Sequence, residues 1–421
     1  MAMNHRDRNV CQIQLNDWSN EKRMKHIIDK KNIVLGVSGG IAAYKSVELL
    51  RLFVKEGANV RVIMTKYAQA FVGALTFKAL SRQAVCTDLF EESDDASIRH
   101  IDWAEQADVV VIAPATANII GKLANGIADD ALSTFMMAVT CPVVICPSMN
   151  TQMFKSHAVQ RNLETLRSEG YLVIDPESGS LACGTTGPGR LPEPHDILDR
   201  TVCYLTPKDL KDKKILVTAG PTREPIDPVR FVSNPSSGKM GFAVAKAAEY
   251  RGGQVTLITG PTHLSDPNNV AVIRVNTAKE MALNVFENMA DFDIIVKTAA
   301  VSDYRPKDTA EQKIKKDTDE LVLSLERTQD ILKEIGRNKK GQILVGFAAE
   351  TEHLEKNAGQ KMAEKNLDII VGNIVGRPDS GFGADTNTVT LFHKNGTKEN
   401  LPKMSKDDVA NLLLDRILKI V

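Results

Sequence analysis

The stretch NIVLGVSGGIAAYKS, residues 32–46, decides the fold of the first half of the chain. Its first six residues form a short apolar run with several β-branched side chains, which predicts a buried β-strand. Gly39 and Gly40 then mark a tight turn, and a helical pattern follows to about Lys55. A strand that passes through a glycine turn into a helix is the repeating unit of an α/β domain, in which ligands bind at the carboxyl ends of the strands.

The same alternation continues through the first half of the chain. Continuous apolar strands separated by helical segments indicate a parallel sheet covered by helices on both faces. The further predicted strands are NVRVIM (59–64), ADVVVIAPA (107–115), CPVVICPSM (141–149) and YLVIDP (171–176).

A second α/β pattern begins after a polar segment near Leu205. The predicted organisation is a loose polar extension at 1–30, an α/β domain at 31–205, a linker at 206–212 and a second α/β domain at 213–421. In the second α/β domain, the predicted strands lie in 213–222, 254–262, 293–303, 342–351 and 367–373, with a hairpin or edge strand at 388–393. The predicted helices of this domain are at 239–253 and, as a closing amphipathic helix, at 409–421.

Composition narrows the function classes. The chain has 421 residues, and its 53 basic and 53 acidic side chains balance, which argues against binding to nucleic acid or to an anionic membrane. No run of about 18 apolar residues occurs, and the first 30 residues lack the apolar core of a signal peptide. The six cysteines contain no CxxC pair, which argues against a zinc site or a disulfide scaffold. We therefore expect a cytoplasmic protein.

Two loops of the first half follow predicted strands and carry hydrogen-bonding groups. In SGG (38–40), backbone N–H groups at a helix N-terminus suit a phosphate, although the same residues also suit a plain strand–helix turn. In APATAN (113–118), Thr116 and Asn118 offer polar side chains, although such residues are also common helix caps.

Three further residues have side chains that can take part in chemistry. His100 lies before IDWA, Asn150 follows a strand in PSMN, and Cys183 lies in the loop SLACGTTGPGR (180–190). A lone histidine is usually structural, and a lone loop cysteine is usually incidental. A cysteine on a loop can nevertheless reach a ligand.

Taken together, these five motifs occur in one order over about 150 residues, and they resemble the phosphopantothenoylcysteine decarboxylase family of flavin-dependent enzymes. The family pattern P-A-M-N is PSMN here. The resemblance implies a flavodoxin-like domain that binds FMN. The residues implied to hold the flavin are Ser38, Gly39, Gly40, Pro114, Ala115, Thr116 and Asn118.

The same resemblance implies catalytic roles. His100 is then the catalytic histidine near the flavin, Asn150 holds the substrate carboxylate or the intermediate, and Cys183 lies on a flap and completes the reduction of an enethiol intermediate. Decarboxylation of a cysteine leaves a carbanion without an electron sink, and prior oxidation of the thiol side by the flavin provides one. A mobile loop with an acidic thiol fits the final protonation.

The second half has motifs that suit a nucleotide. In VSNPSSGK, residues 236–239 precede a helix and resemble a phosphate nest, although a helix cap fits them too. Asp303 ends a predicted strand. The three lysines of EQKIKK (311–316) suit a triphosphate, although a lysine run is usually a solvated face.

Nearly all of residues 212–421 resemble the phosphopantothenate–cysteine ligase family, which is usually fused behind the decarboxylase. The resemblance implies a Rossmann-like α/β domain that activates a carboxylate with CTP as an acyl-cytidylate and then joins it to cysteine. Asn234 is implied to act on the acyl-cytidylate, Lys313 to stabilise phosphate charge, and Asp303 to bind the nucleotide through Mg²⁺. The other implied nucleotide contacts are Ser236, Gly238, Lys239, Thr328, Gln329, Asp330, Ile331, Phe347, Lys361 and Lys365. TQDI (328–331) replaces the N-P-D-I of some relatives.

These resemblances together predict a bifunctional enzyme of coenzyme A synthesis with small-molecule substrates: 4′-phosphopantothenate, cysteine and CTP. They also imply a homo-oligomer with ligase dimers and a trimer-based decarboxylase core, possibly a dodecamer. The alternatives are another flavin-dependent cysteine decarboxylase or a regulatory FMN-binding protein. The first alternative leaves the second half unexplained, and the second needs neither Cys183 nor Lys313.

Overall fold

A computed structural model describes residues 27–88, 96–181, 184–315, 321–350, 352–374 and 383–420. The chain divides into two compact units, residues 1–205 and 206–421. Cys183 lies outside the described residues, as does most of the predicted N-terminal extension.

The first unit is built on a six-stranded parallel sheet. Its strands are β1 (Asn32–Val37), β2 (Asn59–Met64), β3 (Val85–Cys86), β4 (Val109–Ala115), β5 (Val143–Pro147) and β6 (Leu172–Val173), followed by the hairpin strands β7 (Glu177–Ser180) and β8 (Thr186–Arg190). Its helices are α1 (Ala43–Lys55), α2 (Ala74–Ser81), α3 (Ala96–Gln106), α4 (Ala117–Ala124), α5 (Ala131–Met136), α6 (Thr151–Lys155), α7 (His157–Ser168) and α8 (Pro194–Leu205).

The sheet order is β3-β2-β1-β4-β5-β6. Without the two-residue edge strand β3, the remaining strands have the 2-1-3-4-5 order of flavodoxin-like folds, which confirms the predicted fold class. Alternate residues of β1 enter two separate apolar clusters: Ile33 and Leu35 pack on one face, and Val34 packs on the other. Both faces are covered, as a continuous apolar strand requires. The chain order reverses between β1 and β4, so a crevice is expected at their carboxyl ends.

The end of the predicted loose extension is packed. Ile28 is fully buried in the core cluster beside β1, and the Lys30 N–H donates to the Gly57 carbonyl at 2.9 Å. The last described residues of the predicted extension therefore dock against the sheet through an apolar side chain.

The second unit is built on an eight-stranded sheet with smaller ribbons beside it. Its strands are β9 (Lys214–Ala219), β10 (Arg223–Pro225), β11 (Phe231–Ser233), β12 (Gln254–Thr259), β13 (Ala271–Arg274), β14 (Ile294–Lys297), β15 (Tyr304–Pro306), β16 (Leu325–Arg327), β17 (Ile343–Glu350), β18 (Ile369–Ile374), β19 (Thr386–Asn387), β20 (Val389–His393), β21 (Lys398–Asn400) and β22 (Met404–Ser405). Its helices are α9 (Lys239–Tyr250), α10 (Ala278–Asn288), α11 (Ile331–Asn338), α12 (Leu354–Glu364) and α13 (Lys406–Leu418).

The order of the large sheet is β13-β12-β9-β14-β17-β18-β20-β21. The six strands from β13 to β18 are parallel and follow the 3-2-1-4-5-6 order of Rossmann folds, while β20 and β21 add an antiparallel hairpin. The Rossmann-like prediction is confirmed. The order reverses between β9 and β14, which places the expected ligand crevice at their carboxyl ends.

The predicted linker is largely part of the second unit. Leu210 is fully buried, and its N–H donates to the Arg251 carbonyl at 2.9 Å. The Arg251 guanidinium pairs with Asp209 at 2.7 Å and with Asp415 at 2.8 Å. Long-range partners that local polarity does not reveal therefore hold the predicted linker segment 206–212 in place.

Among the helices in the described ranges, none is both long and apolar enough to span a bilayer.

Candidate active sites

In the first unit, three loops meet at the carboxyl ends of neighbouring strands. Ser38, buried after β1, donates its hydroxyl to the Pro114 carbonyl at 2.7 Å and accepts the Thr116 N–H at 3.0 Å. A Cβ on Gly39 would lie 2.4 Å from the Cβ of Tyr67, so only glycine fits between the loops after β1 and β2. The predicted flavin loops at 38–40 and 114–116 are therefore in direct contact.

These loops leave hydrogen-bonding groups without protein partners. Helices α1 and α4 begin beside each other, and neither has a side-chain hydrogen bond at its N-cap, Ala42 or Thr116. The Thr65 hydroxyl at the end of β2 is buried without a partner among the described residues. Buried polar groups are normally satisfied, so these groups are suited to a polar ligand. Asn118 is exposed on the first turn of α4.

Asn150 lies at the end of the next strand, β5. Its side chain caps α6 by accepting the Gln152 N–H at 2.8 Å. The preceding Met149 N–H donates to the Gly189 carbonyl at 3.0 Å. Ser148, where the family pattern has alanine, donates its hydroxyl to the same Gly189 oxygen at 3.4 Å. The substitution thus adds a contact to the base of the β7–β8 hairpin.

Glycine is required where this hairpin approaches Asn150. Gly189 has φ +149°, and a Cβ there would lie 2.1 Å from the Met149 carbonyl oxygen. The Leu181 N–H donates to the Thr185 carbonyl at 2.8 Å, and Cys183 lies between these two residues in the sequence, outside the described residues. The sequence of the hairpin thus carries Cys183 on an arm whose base is fixed beside Asn150.

His100 belongs to α3, and its side chain lies outside the described part of the structure. The same helix places Trp103 in the core. The catalytic role of His100 stays a prediction.

In the second unit, the loops after β9 and β14 bond along their length. Thr298 donates its N–H and hydroxyl to the Thr218 carbonyl at 3.1 and 2.7 Å, and the Ala300 N–H donates to Gly220. The Asn234 amide donates to the Ala300 and Val301 carbonyls at 3.2 and 3.1 Å. The predicted ligase residue Asn234 is therefore fixed at the end of the central strand β14.

Several predicted nucleotide residues lie around the same strand end. The Thr328 N–H donates to the Asp303 carbonyl at 3.0 Å, while the Asp303 carboxylate is exposed. Asp330 caps α11 and pairs with Lys365 at 2.8 Å. Although burial raises it, the hydrogen bond from Lys365 lowers the pKa of Asp330 overall. The Asp330 carboxylate and the Lys365 ammonium therefore lie together at one edge of the sheet.

Other predicted nucleotide contacts are placed differently. Ile331 is 2 % exposed and its side chain packs in the core, so its predicted nucleotide contact would involve its backbone. Lys361 pairs with Glu350 at 2.6 Å, Phe347 is partly buried in β17, and Gln329 is exposed. Lys239 is bound to Asp385 at 2.6 Å.

Lys297 was not singled out by the sequence, although it ends β14 among these charges. Its ammonium lies 3.5 Å from the Ala299 carbonyl. Burial, and then repulsion by Lys365, lowers the pKa of Lys297 to about 8 against attraction by Asp330 and Asp303. The sequence signal for Lys297 was its position directly after the apolar run IIV (294–296) and before a loop.

Asp227 was also missed. Its side chain is fully buried between β10 and β11, and it accepts the Val229 and Arg230 N–H groups at 2.8 Å and the Ile314 N–H at 3.2 Å. Arg230 in turn donates to the Ile314 carbonyl at 3.2 Å. Burial raises the pKa of Asp227, but these backbone hydrogen bonds lower it overall. Asp227 and Arg230 together therefore hold the backbone of Ile314, the residue next to exposed Lys313.

The described residues contain no group of three or more His, Cys, Asp or Glu side chains arranged for a metal ion.

Comparison with known proteins covers both halves. The Flavoprotein family model matches residues 21–206, and the model of the DNA/pantothenate metabolism flavoprotein C-terminal domain matches residues 210–421. The Coenzyme A biosynthesis bifunctional protein CoaBC of Bacillus subtilis (strain 168) is 51% identical over 395 residues, 93% of this chain and 97% of the relative. The Escherichia coli (strain K12) protein of the same name is 46% identical over 393 residues, 92% and 97% of the two chains.

The chain belongs to the CoaBC family. It is therefore a bifunctional enzyme of coenzyme A biosynthesis, with phosphopantothenoylcysteine decarboxylase and phosphopantothenate–cysteine ligase activities. Matches of 92–93% of the chain include both halves, which neither alternative function explains.

Two solved structures are also similar to parts of this CoaBC chain. A crystal structure of the C-terminal domain of a CoaBC protein is 43% identical and covers 51% of this chain and 97% of its own, with a TM-score of 0.45. The FMN binding protein AtHal3 is 31% identical and covers 42% and 96%, with a TM-score of 0.37. The flavoprotein match supports FMN as the cofactor of this CoaBC member. The N-termini of α1 and α4, which lack side-chain caps, and the Thr65 hydroxyl, unpartnered among the described residues, fit such a phosphate-bearing, polar group.

Proposed function

We propose that the first unit decarboxylates 4′-phosphopantothenoylcysteine to 4′-phosphopantetheine with FMN. The observation that carries the proposal is the meeting of the 38–40, 114–116 and 149–150 loops at adjacent strand ends, beside the base of the hairpin. Ser38, Thr116 and the N-termini of α1 and α4 would hold the flavin, with Gly39, Gly40, Pro114, Ala115 and Asn118 shaping the loops around it.

When bound, the flavin supplies the electron sink that cysteine decarboxylation lacks. Asn150 then orients the substrate carboxylate for loss of CO₂, and His100 lies near the flavin. The β7–β8 hairpin shields the site from water, and the Cys183 thiol donates the proton, while the reduced flavin would return the two electrons that saturation of the enethiol also requires.

We propose that the second unit acts first and makes phosphopantothenoylcysteine. The phosphopantothenate carboxylate attacks the α-phosphorus of CTP, so that pyrophosphate leaves and an acyl-cytidylate forms. The cysteine amine then attacks the acyl carbon, and CMP leaves. Asn234 acts on the acyl-cytidylate, Lys313 stabilises phosphate charge and Asp303 binds Mg²⁺. Their placement around β14 and the 309–314 segment supports these roles.

The proposed nucleotide contacts come from loops and helix ends of this unit. They are Ser236, Gly238, Lys239, Thr328, Gln329, Asp330, the backbone of Ile331, Phe347, Lys361 and Lys365. The ion pair of Asp330 and Lys365 beside Lys297 supports a site that handles phosphate charge.

We also propose a cytoplasmic homo-oligomer, with ligase dimers and a trimer-based decarboxylase core that can extend to a dodecamer. Large apolar side chains that are half or more exposed support association of the first unit: Tyr44 (61%), Tyr67 (73%), Phe71 (50%) and Leu75 (77%). Light scattering on the purified protein would reveal a monomer if this is wrong.

The deciding experiment is product analysis by mass spectrometry after the full chain is mixed with 4′-phosphopantothenate, cysteine, CTP and Mg²⁺. Formation of 4′-phosphopantetheine and CMP is expected. A product that stops at phosphopantothenoylcysteine in flavin-loaded protein would contradict the decarboxylase proposal. Absence of CMP would contradict the ligase proposal.

The Cys183 role has a separate test. Cys183→Ser should release CO₂ but accumulate the enethiol, because serine is a much weaker acid. Cys141→Ser is the control, since burial raises the pKa of the Cys141 thiol to about 11 and keeps it protonated. Full turnover to 4′-phosphopantetheine in Cys183→Ser would refute the assignment.

A further inference from the structure

Lys45 is a buried lysine that the proposed chemistry of the first unit does not use. It lies in the first turn of α1, where a positive charge is unfavourable because the N-terminus of a helix carries partial positive charge. It is only 8% exposed, and a lysine is rarely buried to that extent without a partner. A residue that local rules disfavour at its position is expected to be held there by a tertiary contact or a function.

The partners of Lys45 lie just after the β7–β8 hairpin. Its ammonium donates to the Glu193 carboxylate at 2.8 Å and to the Leu191 carbonyl at 3.1 Å. Leu191 is itself buried. The hydrogen bond from Lys45 lowers the pKa of the Glu193 carboxyl, which keeps this acceptor charged. Lys45 therefore holds the chain immediately beyond β8.

Glu193 connects both strands of the hairpin at their base. Its N–H donates to the carboxylate of Glu177, the first residue of β7, at 3.2 Å. Its carboxylate lies 3.6 Å from the guanidinium of Arg190, the last residue of β8. Glu177 and Arg190 are also paired in the ladder of the hairpin. The Lys45 ammonium thus binds at the point where the two strands meet.

The next residue along α1 binds one of the candidate flavin loops. Ser46 is fully buried and donates its hydroxyl to the Ala113 carbonyl at 2.6 Å. Adjacent residues of one helical turn therefore connect the 113–116 loop to the base of the hairpin. A second anchor of the hairpin is the hydrogen bond from the Met149 N–H to the Gly189 carbonyl. Two anchors on different elements fix the direction of the hairpin, whereas one anchor would leave it free to pivot.

We infer that Lys45 is a positioning residue of the decarboxylase, which sets the direction of the β7–β8 hairpin relative to the flavin loops. The inference rests on the proposed role of this hairpin in the last half of the reaction, in which the enethiol gains a proton and, from the reduced flavin, a hydride. Removal of Lys45 should therefore separate the two halves of the reaction: loss of CO₂ continues, and saturation of the enethiol slows.

Lys45→Met in the full, flavin-loaded chain tests the inference, because methionine keeps most of the apolar stem and removes the ammonium. A single turnover of supplied phosphopantothenoylcysteine gives the CO₂ released and, by mass spectrometry, the ratio of 4′-phosphopantetheine to enethiol. We expect CO₂ release within about twofold of the parent and formation of 4′-phosphopantetheine about tenfold slower, because misplaced groups react slowly. Lys45→Arg keeps the charge and the donors and should restore most of the saturated product.

Lys31→Met is the matched control. Lys31 also forms an ion pair within the first unit, with Asp108 at 2.7 Å, but this pair lies ahead of β1 and β4 rather than beyond them. It should give the parent ratio. An unchanged ratio in folded Lys45→Met, or an equal shift in Lys31→Met, would overturn the inference. A fall in CO₂ release as large as the fall in saturation would overturn it too, since a merely structural role produces that result.

Further variants separate the inference from folding and from the proposed function. If Lys45→Met does not fold, Glu193→Gln decides, because the Glu193 side chain is 49% exposed and its neutralisation weakens the same contact. This variant must shift the ratio toward the enethiol, and an unchanged ratio overturns the inference. A shifted ratio in Lys45→Met together with full turnover in Cys183→Ser would uphold the positioning role and reject the proposed proton donor. Accumulated enethiol in Cys183→Ser together with the parent ratio in Lys45→Met would uphold the proton donor and reject the role of Lys45.

Discussion

The carboxyl ends of the first sheet are lined by neutral hydroxyl groups and open backbone donors, whereas those of the second sheet gather lysines and aspartates. Ser38, Thr65 and Thr116 meet at the first crevice. Lys297, Asp330 and Lys365 meet at the second. Both crevices lie where the strand order reverses. The two sheets differ in strand order, yet each presents its candidate site in the loops at the carboxyl ends of parallel strands, and the side chains of those loops give the two sites their different character.

The largest effect is expected from breaking the Asp227 clamp of the charged site. Asp227→Asn removes a charged acceptor from three N–H groups and frees the segment that carries Lys313. We expect the ligase turnover number to fall about a hundredfold, as misplaced catalytic groups cause, with little change in the KM for cysteine. Decarboxylation of supplied phosphopantothenoylcysteine should be unchanged.

The control for this variant is Asp266→Asn, because Asp266 pairs with Arg274 on the surface, where both side chains are about half exposed. It should leave the ligase rate intact. A decarboxylase rate that falls together with the ligase rate in Asp227→Asn would contradict the separation of the two sites.

A slightly smaller effect should appear in the neutral site. Gly189→Ala forces a Cβ against the Met149 carbonyl and shifts the hairpin that carries Cys183. Decarboxylation should slow about thirtyfold, equivalent to roughly 2 kcal/mol, while CMP release by the ligase stays constant. Gly73→Ala is the control, since nothing lies within 4 Å of its added Cβ. Normal decarboxylation by Gly189→Ala would show that the base of the hairpin does not position the flap.

The two sites should also differ in pH dependence. Lys297 has a folded-state pKa of about 8, below its ordinary 10.5, and it faces Asp303, Asp330, Lys361 and Lys365. Below pH 8 the Lys297 ammonium is charged and attracts phosphate. Above pH 8 it loses its proton in the folded protein, at a lower pH than an ordinary lysine with a pKa of 10.5 would. Nucleotide affinity should therefore fall by up to about tenfold per pH unit above pH 8. Flavin affinity should change much less.

Lys297→Met should make the nucleotide affinity nearly independent of pH between 7 and 9.5, whereas exposed Lys340→Met should keep the parent profile. In the parent, stability should rise between about pH 8 and 10.5, since the unfolded chain binds the proton more tightly there. A Lys297→Met profile that matches the parent would remove Lys297 from this role.

The smallest effect is expected from Thr65→Val. The Thr65 hydroxyl is buried without a partner, so its loss should not destabilise the ligand-free protein. FMN affinity, measured by fluorescence quenching, should fall about fivefold, or ~1 kcal/mol, if the flavin uses this hydroxyl. Thr65→Ser keeps the hydroxyl and should restore the affinity. Equal affinity in the valine variant would place the flavin away from Thr65.

Local sequence patterns predicted the sheets and the strand-end loops because apolar periodicity and glycine turns depend on neighbouring residues. The SGG and APATAN loops, for example, lie together as adjacent strands of a parallel sheet require. The Asp227 clamp could not be predicted in this way, because Ile314 lies 87 residues further along the chain. Lys406 likewise lies in an ordinary helix start, and only the tertiary fold brings its N–H to the Asp385 carbonyl.

The missing side-chain caps of α1 and α4 and the unpartnered Thr65 hydroxyl have a consequence for the amount of enzyme in a cell. They are groups whose best partner is the cofactor, so the folded state gains free energy by mass action when the cofactor binds. A ligand at a hundred times its Kd adds about 2.7 kcal/mol to stability. Because marginally stable proteins are cleared by proteases, flavin scarcity would lower the abundance of the enzyme as well as its occupancy. The supply of flavin would thereby set the steady-state amount of folded protein.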